Sequence, residues 1–229
     1  MTDASPGGLF VVGTGTGVGK TVVTAGLTGL LRDRGVDAVA VKPCQTGYPP
    51  DDDAAFVAEA CGNETASTCL RRLAPALAPE VAADVAEADL SYDEILSGVR
   101  TAVNAHEVGV VEGIGGLRVP LADGAEVLDL VAALGLPAVV VARSGLGTLN
   151  HTGLTVDALR AHGVSVHGVV LNEYEGATVA ERTNPDVLEG MTDAPVWTLP
   201  PLDLREPSEA VSGVREHLPA AALSAVTEF

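Results

Sequence analysis

Residues 9–21 read LFVVGTGTGVGKT: four apolar residues run straight into a glycine-rich turn that ends in lysine and threonine. Four residues are too few for a helix and suit a buried parallel strand, whereas residues 21–35 (TVVTAGLTGLLRDRG) have the length and the 3.6-residue periodicity of a helix. The turn therefore joins a strand to a helix N-terminus. There the unpaired N–H groups and the positive end of the helix dipole face outward, and glycines let the backbone close around phosphate oxygens without a Cβ in the way. This context makes the stretch a phosphate-binding loop and not a glycine-rich turn with an incidental lysine. Gly17, Val18, Gly19 and Val22 belong to the nucleotide cradle, Lys20 is placed to reach the β and γ phosphates of ATP, and the Thr21 hydroxyl is a ligand for Mg2+. A chain built around such a loop is expected to adopt an α/β P-loop fold, with a mostly parallel central sheet and helices on both faces.

The 229 residues suffice for one well-buried core, and no internal repeat or low-complexity linker divides them, so a single domain over residues 1–229 is expected. The opening MTDASPGG has neither a basic start nor an apolar leader core, and the longest apolar run, residues 134–142, is far shorter than a bilayer span. A soluble, cytoplasmic protein is expected. The net charge of −18 argues against nucleic acid or an anionic membrane as partner. Cys44, Cys61 and Cys69 are odd in number and lack metal-ligand spacing, which points to a reducing compartment without a disulfide framework. The acid is spread along the chain, a pattern that fits a salt-loving source, a high-GC source, or plain solubility. On the first of these, added salt screens self-repulsion among carboxylates, and the thermal midpoint is expected to rise from low to molar KCl. A flat or falling midpoint removes that reading.

Of the 13 basic side chains only two are lysines, Lys20 in the loop and Lys42 just before Pro43, which suggests that a compact ammonium is needed at both places. Residues 37–42 (DAVAVK) read as a second strand stopped by the proline. Open α/β sheets bind ligands outside the carboxyl ends of their strands, so Lys42, Cys44, Gln45, Thr46 and Gly47 are expected beside the phosphate loop. Asp51, Asp52 and Asp53 precede an apolar helix (AAFVAEAC), where carboxylates serve as cap and dipole partners. Residues 108–111 are a buried strand ending in Glu112, followed by Gly113, Ile114, Gly115 and Gly116. A carboxylate at a strand end ahead of a second glycine loop is placed as a second metal ligand, with an ion pair to Arg118 as the structural alternative. Further strands are expected at 137–142, 164–172 and 196–199. Helices are expected at 91–107, at 144–162 and at 177–191, the last interrupted at Asn184 and Pro185. Residues 74–83 read as a proline-punctuated loop and residues 208–226 as one or two amphipathic helices.

Taken in order, GTGTGVGKT at 13–21, KPCQTG at 42–47, PALAPEVAA at 75–83, VEGIGG at 111–116 and LGTLNH at 146–151 resemble the dethiobiotin synthetases, and the likeness runs to about residue 202. The loop departs from the standard spacing, since Gly13 sits one residue early, and from that family's pattern, since Gly15 replaces an aspartate. The septum-positioning ATPases carry a lysine at that position, and this chain has none. The resemblance implies ATP-dependent closure of a cyclic urea on 7,8-diaminononanoate with CO2, assisted by Mg2+, in a homodimer. It implies that Lys42 and Lys20 are catalytic, that Thr46 hydrogen-bonds the substrate, and that Asp53 joins Thr21 and Glu112 at the metal. Gly113, Ile114 and Gly115 would lie against the nucleotide, Asn172 would contact adenine, and Pro200, Pro201 and Leu202 would form the base-binding loop. Gly147, Thr148, Leu149 and Asn150 would bind the substrate's distant carboxylate at a helix start, partly from the neighbouring subunit; His151 is read as a structural hydrogen-bonding residue. Two rivals stay open: an amide synthetase of the same fold, for whose glutaminase domain the length leaves no room, and a P-loop switch acting through a protein partner.

Overall fold

The computed structural model describes residues 7–226; residues 1–6 of the opening segment lie outside the described residues. The apolar runs become strands of one sheet, which β3 joins without such a run: β1 (Gly7–Gly13), β2 (Ala38–Lys42), β3 (Ser67–Cys69), β4 (Val108–Glu112), β5 (Ala138–Arg143), β6 (Val166–Asn172) and β7 (Val196–Leu199). They stand in the order β7-β6-β5-β1-β4-β2-β3, and every pairing is parallel. The phosphate-loop strand β1 is thus central. Between the strands run α1 (Lys20–Asp33), α2 (Asp53–Ala60), α3 (Pro79–Ala86), α4 (Tyr92–Asn104), α5 (Val127–Leu134), α6 (Thr148–Ala161) and α7 (Val179–Thr192), and α8 (Glu209–His217) follows β7.

Alternation along β1 sorts the core into two layers, because successive side chains of a strand point to opposite faces. Phe10 and Val12 pack on one face with Ile95 of α4, Leu130 of α5, Leu159 of α6 and Leu188 of α7. Leu9 and Val11 face the other way, onto Val23 and Leu27 of α1 and Val214 of α8. Each fully buried leucine of this kind contributes about 1.5–3 kcal/mol. The sheet therefore hides both faces, and its carboxyl edge is left for ligands.

The contact between α1 and α8 is close enough to exclude a methyl group. A Cβ on Gly26 would lie 2.2 Å from Val214 Cγ2, and one on Gly29 would lie 2.5 Å from Val211 Cγ2. Alanine normally stabilises a helix interior by about 1 kcal/mol over glycine. Here overpacking opposes that gain and costs about 3 kcal/mol, so Gly26→Ala is expected to destabilise the protein by about 2 kcal/mol. Gly190 of α7, where an added Cβ meets nothing within 4 Å, is the control. Gly190→Ala is expected to raise the thermal midpoint while Gly26→Ala lowers it; two shifts of the same sign would mean that the α1–α8 packing is not tight.

Four sequence expectations need correction. Strand β3 at the sheet edge was not expected, nor was helix α5. The expected loop at residues 74–83 turns into α3 at Pro79, because proline at the first helical position loses no intrahelical bond. Helix α7 runs unbroken through Pro185, whose neighbours Asn184 and Leu188 are both buried, so tertiary contacts outweigh one missing N–H bond. Among the described residues no helix is long and apolar enough to cross a membrane.

Candidate active site

Three strand ends and one helix start converge on a cavity of about 950 Å³ at the carboxyl edge of the sheet. Gly19, with φ at +97°, turns the chain from the loop into α1. A Cβ there would sit 2.1 Å from Asn172 Nδ2, so only glycine allows the end of β6 to touch the loop, where Asn172 donates to the Val18 carbonyl at 3.2 Å. Lys20 folds back over the loop and donates to the carbonyls of Gly15 at 2.9 Å and Gly115 at 3.0 Å, joining the two glycine loops. A Cβ on Gly15 would meet nothing within 4 Å, so the position leaves room for the aspartate found in the family pattern.

β2 and β4 are paired in register up to Val41 and Val111, so Lys42 and Glu112 emerge side by side from the sheet. The Lys42 ammonium lies 2.5 Å from Asp53 Oδ2 and 2.8 Å from Glu112 Oε1, and it donates to the Gly113 carbonyl at 3.3 Å. The same Glu112 oxygen accepts from the Thr21 hydroxyl at 2.9 Å. Burial on its own would lower the Lys42 ammonium, but Glu112 and Asp53 overturn it and raise the group above the ordinary lysine range, so Lys42 is charged at any working pH. Burial raises the Glu112 carboxyl, and Lys42 only partly offsets this. At Asp53 burial also works upward, but the charge and hydrogen bond of Lys42 win, and the carboxyl ends below its usual range. Lys20 is lowered to about 8, first by burial and then by the Lys42 charge, against the pull of Glu112 and Asp53. One cluster thus holds two cations and two carboxylates, with Lys20, Lys42 and Glu112 buried and Asp53 half-buried.

The donor set tests the expected metal. Thr21, Asp53 and Glu112 present only oxygen, and their side chains lie within hydrogen-bonding reach of one another. Such hard ligands fit Mg2+, which takes one or two carboxylates and fills its other positions with water and phosphate. The Arg118 alternative is excluded: Arg118 is exposed and pairs with Glu126, while Glu112 pairs with Lys42.

The other expected residues divide. Gly17, Val22, Thr46, Ile114, Gly115, Asn172, Pro201 and Leu202 line the larger cavity. Val18 and Thr148 line a smaller cavity of about 520 Å³ behind the phosphate loop, where Arg143 and His151 also lie. Gly113, Pro200, Gly147, Leu149 and Asn150 line neither. Exposed His151 faces solvent-accessible space where a structural hydrogen-bonding residue was expected. Asp52 does cap α2, accepting from Ala55 N at 3.1 Å, and pairs with Arg72. Sequence reasoning missed the role of Gln45, whose buried amide accepts from Asp53 N at 3.2 Å and donates to Thr46 O at 2.9 Å. It thereby ties the start of α2 to the loop after β2, and only its place inside KPCQTG hinted at this.

Comparison with known proteins agrees with this geometry. A family profile described as an AAA domain matches residues 7–207. The ATP-dependent dethiobiotin synthetase BioD of Haloferax mediterranei is 65% identical over 209 residues, covering 91% of this chain and 90% of that protein. The protein of the same name from Bacillus licheniformis is 35% identical over 221 residues, covering 92% and 93%. Among solved structures, the cell division ATPase MinD of Pyrococcus furiosus superposes with a TM-score of 0.61 at 21% identity, covering 96% of this chain and 95% of that one, which bears on the fold alone. With 65% identity to one such enzyme over 91% of its length, and with the loop, lysine and carboxylates set as described, the chain belongs to the ATP-dependent dethiobiotin synthetases, a family of ligases in biotin biosynthesis.

Proposed function

We propose that this chain, acting as one catalytic domain, closes the ureido ring of dethiobiotin from 7,8-diaminononanoate, CO2 and ATP. The observation that carries the reading is the Lys42 ammonium, buried between Asp53 and Glu112 at the rim of the phosphate-loop cavity. One amine of the substrate takes up CO2 as a carbamate, the γ-phosphoryl group passes to a carbamate oxygen, and the second amine attacks the mixed anhydride to expel phosphate. Transfer of this kind depends on position and charge neutralisation, not on a side-chain nucleophile. The loop amides and Lys20 grip the polyphosphate of ATP, the co-substrate, and Lys42 presents a compact donor to the carbamate and anhydride oxygens, with Thr46 as a neutral donor beside it. Asn172 and the segment of Pro200, Pro201 and Leu202 hold the base. Thr21, Asp53 and Glu112 would hold Mg2+, which would supply charge neutralisation for the transferring phosphoryl group.

Gly147, Leu149 and Asn150 lie outside the larger cavity, which supports a homodimer in which the start of α6 serves the substrate's carboxylate end. Leu146 beside them is 97% exposed, and Leu154 and Met191 are also exposed, an apolar surface suited to a second copy. Three free cysteines fit a cytoplasmic setting, and the net charge of −18 opposes nucleic-acid and membrane partners. The test is incubation with ATP, Mg2+, labelled bicarbonate and the diamine. One labelled carbon per product, formed with ADP and phosphate, is expected; ADP release that ignores the diamine would favour the switch reading instead.

A further inference from the structure

A helix remote from the chemistry supports one wall of the larger cavity. Leu202 lies between β7 and α8, lines that cavity, and is partly buried against the core layer that contains Val214. Its side chain sits where α8 carries none: a Cβ on Gly213 would lie 2.5 Å from Leu202 Cδ2, 2.6 Å from Cδ1 and 3.1 Å from Cγ. The end of the leucine thus occupies the place of a missing methyl group. Gly213 is buried in the interior of α8, and glycine is a poor helix former, so local propensity does not account for it. The contact with Leu202 does. On the face of α8 turned to α1, Val211 and Val214 fit against Gly29 and Gly26, and α1 itself begins at the phosphate loop. Loop, α1, α8 and Leu202 therefore form one packed series with a glycine at each contact between elements. Interiors packed this closely pass a displacement on and do not absorb it.

What lies against this wall follows from the order of the sheet. The phosphate loop leaves the central β1; Lys42 ends β2 on one side of it, with Thr46 just beyond, and Leu202 follows β7 on the other side. The last register pair of β6 and β7 joins Asn172 to Leu199, so residues 200–202 continue past Asn172, which touches the loop at Val18. Polyphosphate occupies the loop in the middle, and the carbamate lies at Lys42. The part of ATP left for an apolar wall on the β7 side is the base with its ribose, and Pro201, Leu202 and Leu204 all line the cavity there.

We propose that Gly213 is a positioning residue for the nucleotide base: by leaving a notch for Leu202, α8 sets how far the wall after β7 stands into the cavity, and so how closely that wall meets the base. This rests on the reading that Pro200, Pro201 and Leu202 hold the base. Gly213 itself lines neither cavity, so its effect on ATP passes through Leu202. A methyl group added at the notch has to push the leucine outward or push α8 off α1. The leucine is the cheaper choice, since it belongs to a loop with one open side, whereas α8 is held by two valines.

The experiment titrates the unaltered enzyme, Gly213→Ala, Leu202→Ala and the double variant Gly213→Ala with Leu202→Val against two ligands in the presence of Mg2+: ATP, and tripolyphosphate, which offers phosphates without a base. The diamine KM and the thermal midpoint are recorded beside the two Kd values. Gly213→Ala is expected to weaken ATP about 10-fold while tripolyphosphate Kd and diamine KM stay within about 2-fold of normal. The double variant gains a methyl and gives up a methylene at the same contact, and its ATP Kd is expected to return to within about 3-fold of normal. Equal weakening of both ligands, a base-dependent loss that Leu202→Val leaves in place, or a Gly213→Ala chain that no longer folds would overturn the proposal in favour of plain packing. Leu202→Ala, which trims the wall and leaves α8 untouched, separates the two ideas. If it weakens ATP and not tripolyphosphate while Gly213→Ala does neither, the proposal alone fails; if neither variant distinguishes the two ligands, the reading of the base wall fails and the proposal with it.

Discussion

Lys42→Arg is expected to slow ring closure about 100-fold or more while ATP binding stays near normal, the scale of losing one preorganised transition-state donor. The substitution keeps the charge, so it isolates geometry. The three protons of the ammonium already have three acceptors, on Asp53, Glu112 and the Gly113 carbonyl, in a pocket that leaves the side chain 6% exposed. During turnover one of those donors has to swing to a substrate oxygen, which a point charge on a flexible stem does easily. A guanidinium is planar, spreads its charge, and would satisfy the two carboxylates as a fork without turning. Steady-state kinetics beside a nucleotide titration will show the split. An arginine enzyme that keeps most of its turnover would sink the catalytic role of Lys42, together with the argument from the chain's two lysines.

Glu112→Gln is expected to lower turnover about 100-fold and to raise the Mg2+ concentration for half-activation at least about 10-fold. The cluster of Lys20, Lys42, Asp53 and Glu112 is formally neutral, and the amide leaves it one unit positive. A divalent cation is then disfavoured twice, by the lost ligand charge and by the net field. Stability should suffer little: glutamine keeps the volume, and Asp53 at 2.5 Å still pairs with Lys42. Breaking a buried ion pair outright costs about 3–5 kcal/mol, but here one carboxylate remains in place. Metal titration of activity and a melting curve are the measurements, and unchanged Mg2+ dependence would move Glu112 to a structural role.

The phosphate loop, the strand ends carrying Lys42 and Glu112, and the parallel sheet were legible because each is a local pattern: a glycine run between two periodicities, or an apolar run with a charged residue at its end. What was not legible depended on partners far along the chain. Ser67–Cys69 is three half-buried residues with no apolar run, and it is a strand only because Lys42 offers a neighbour opposite Cys69. The eight residues of α5 are apolar enough to read as anything buried, though the Glu126 and Asp129 capping box was a usable start signal. Likewise Pro79 followed by Glu80 marks the beginning of α3. Arg118 was the alternative partner expected for Glu112 through nearness in sequence, whereas the true partner is set by strand register across the sheet. Asn184 beside Pro185 read as a break, yet its amide donates to the Ser144 carbonyl at 2.8 Å, and neither segment's sequence gives a sign of the other.

The central place of β1 also bears on how the polypeptide is made. Among the described strands it comes first in chain order, yet its two neighbours begin at residues 108 and 138. At ordinary elongation rates roughly 5–20 s pass before the nearer one is complete. Throughout that interval Leu9, Phe10, Val11 and Val12 travel with both edges open, and α1 lacks α8, whose valines fit against Gly26 and Gly29 only when residues 209–217 have emerged. Open apolar edges recruit other strands, so β1 stays exposed to non-native pairing for longer than a strand whose hairpin closes on itself. The nucleotide loop precedes the other parts of the site in the chain and is among the last to be locked in place.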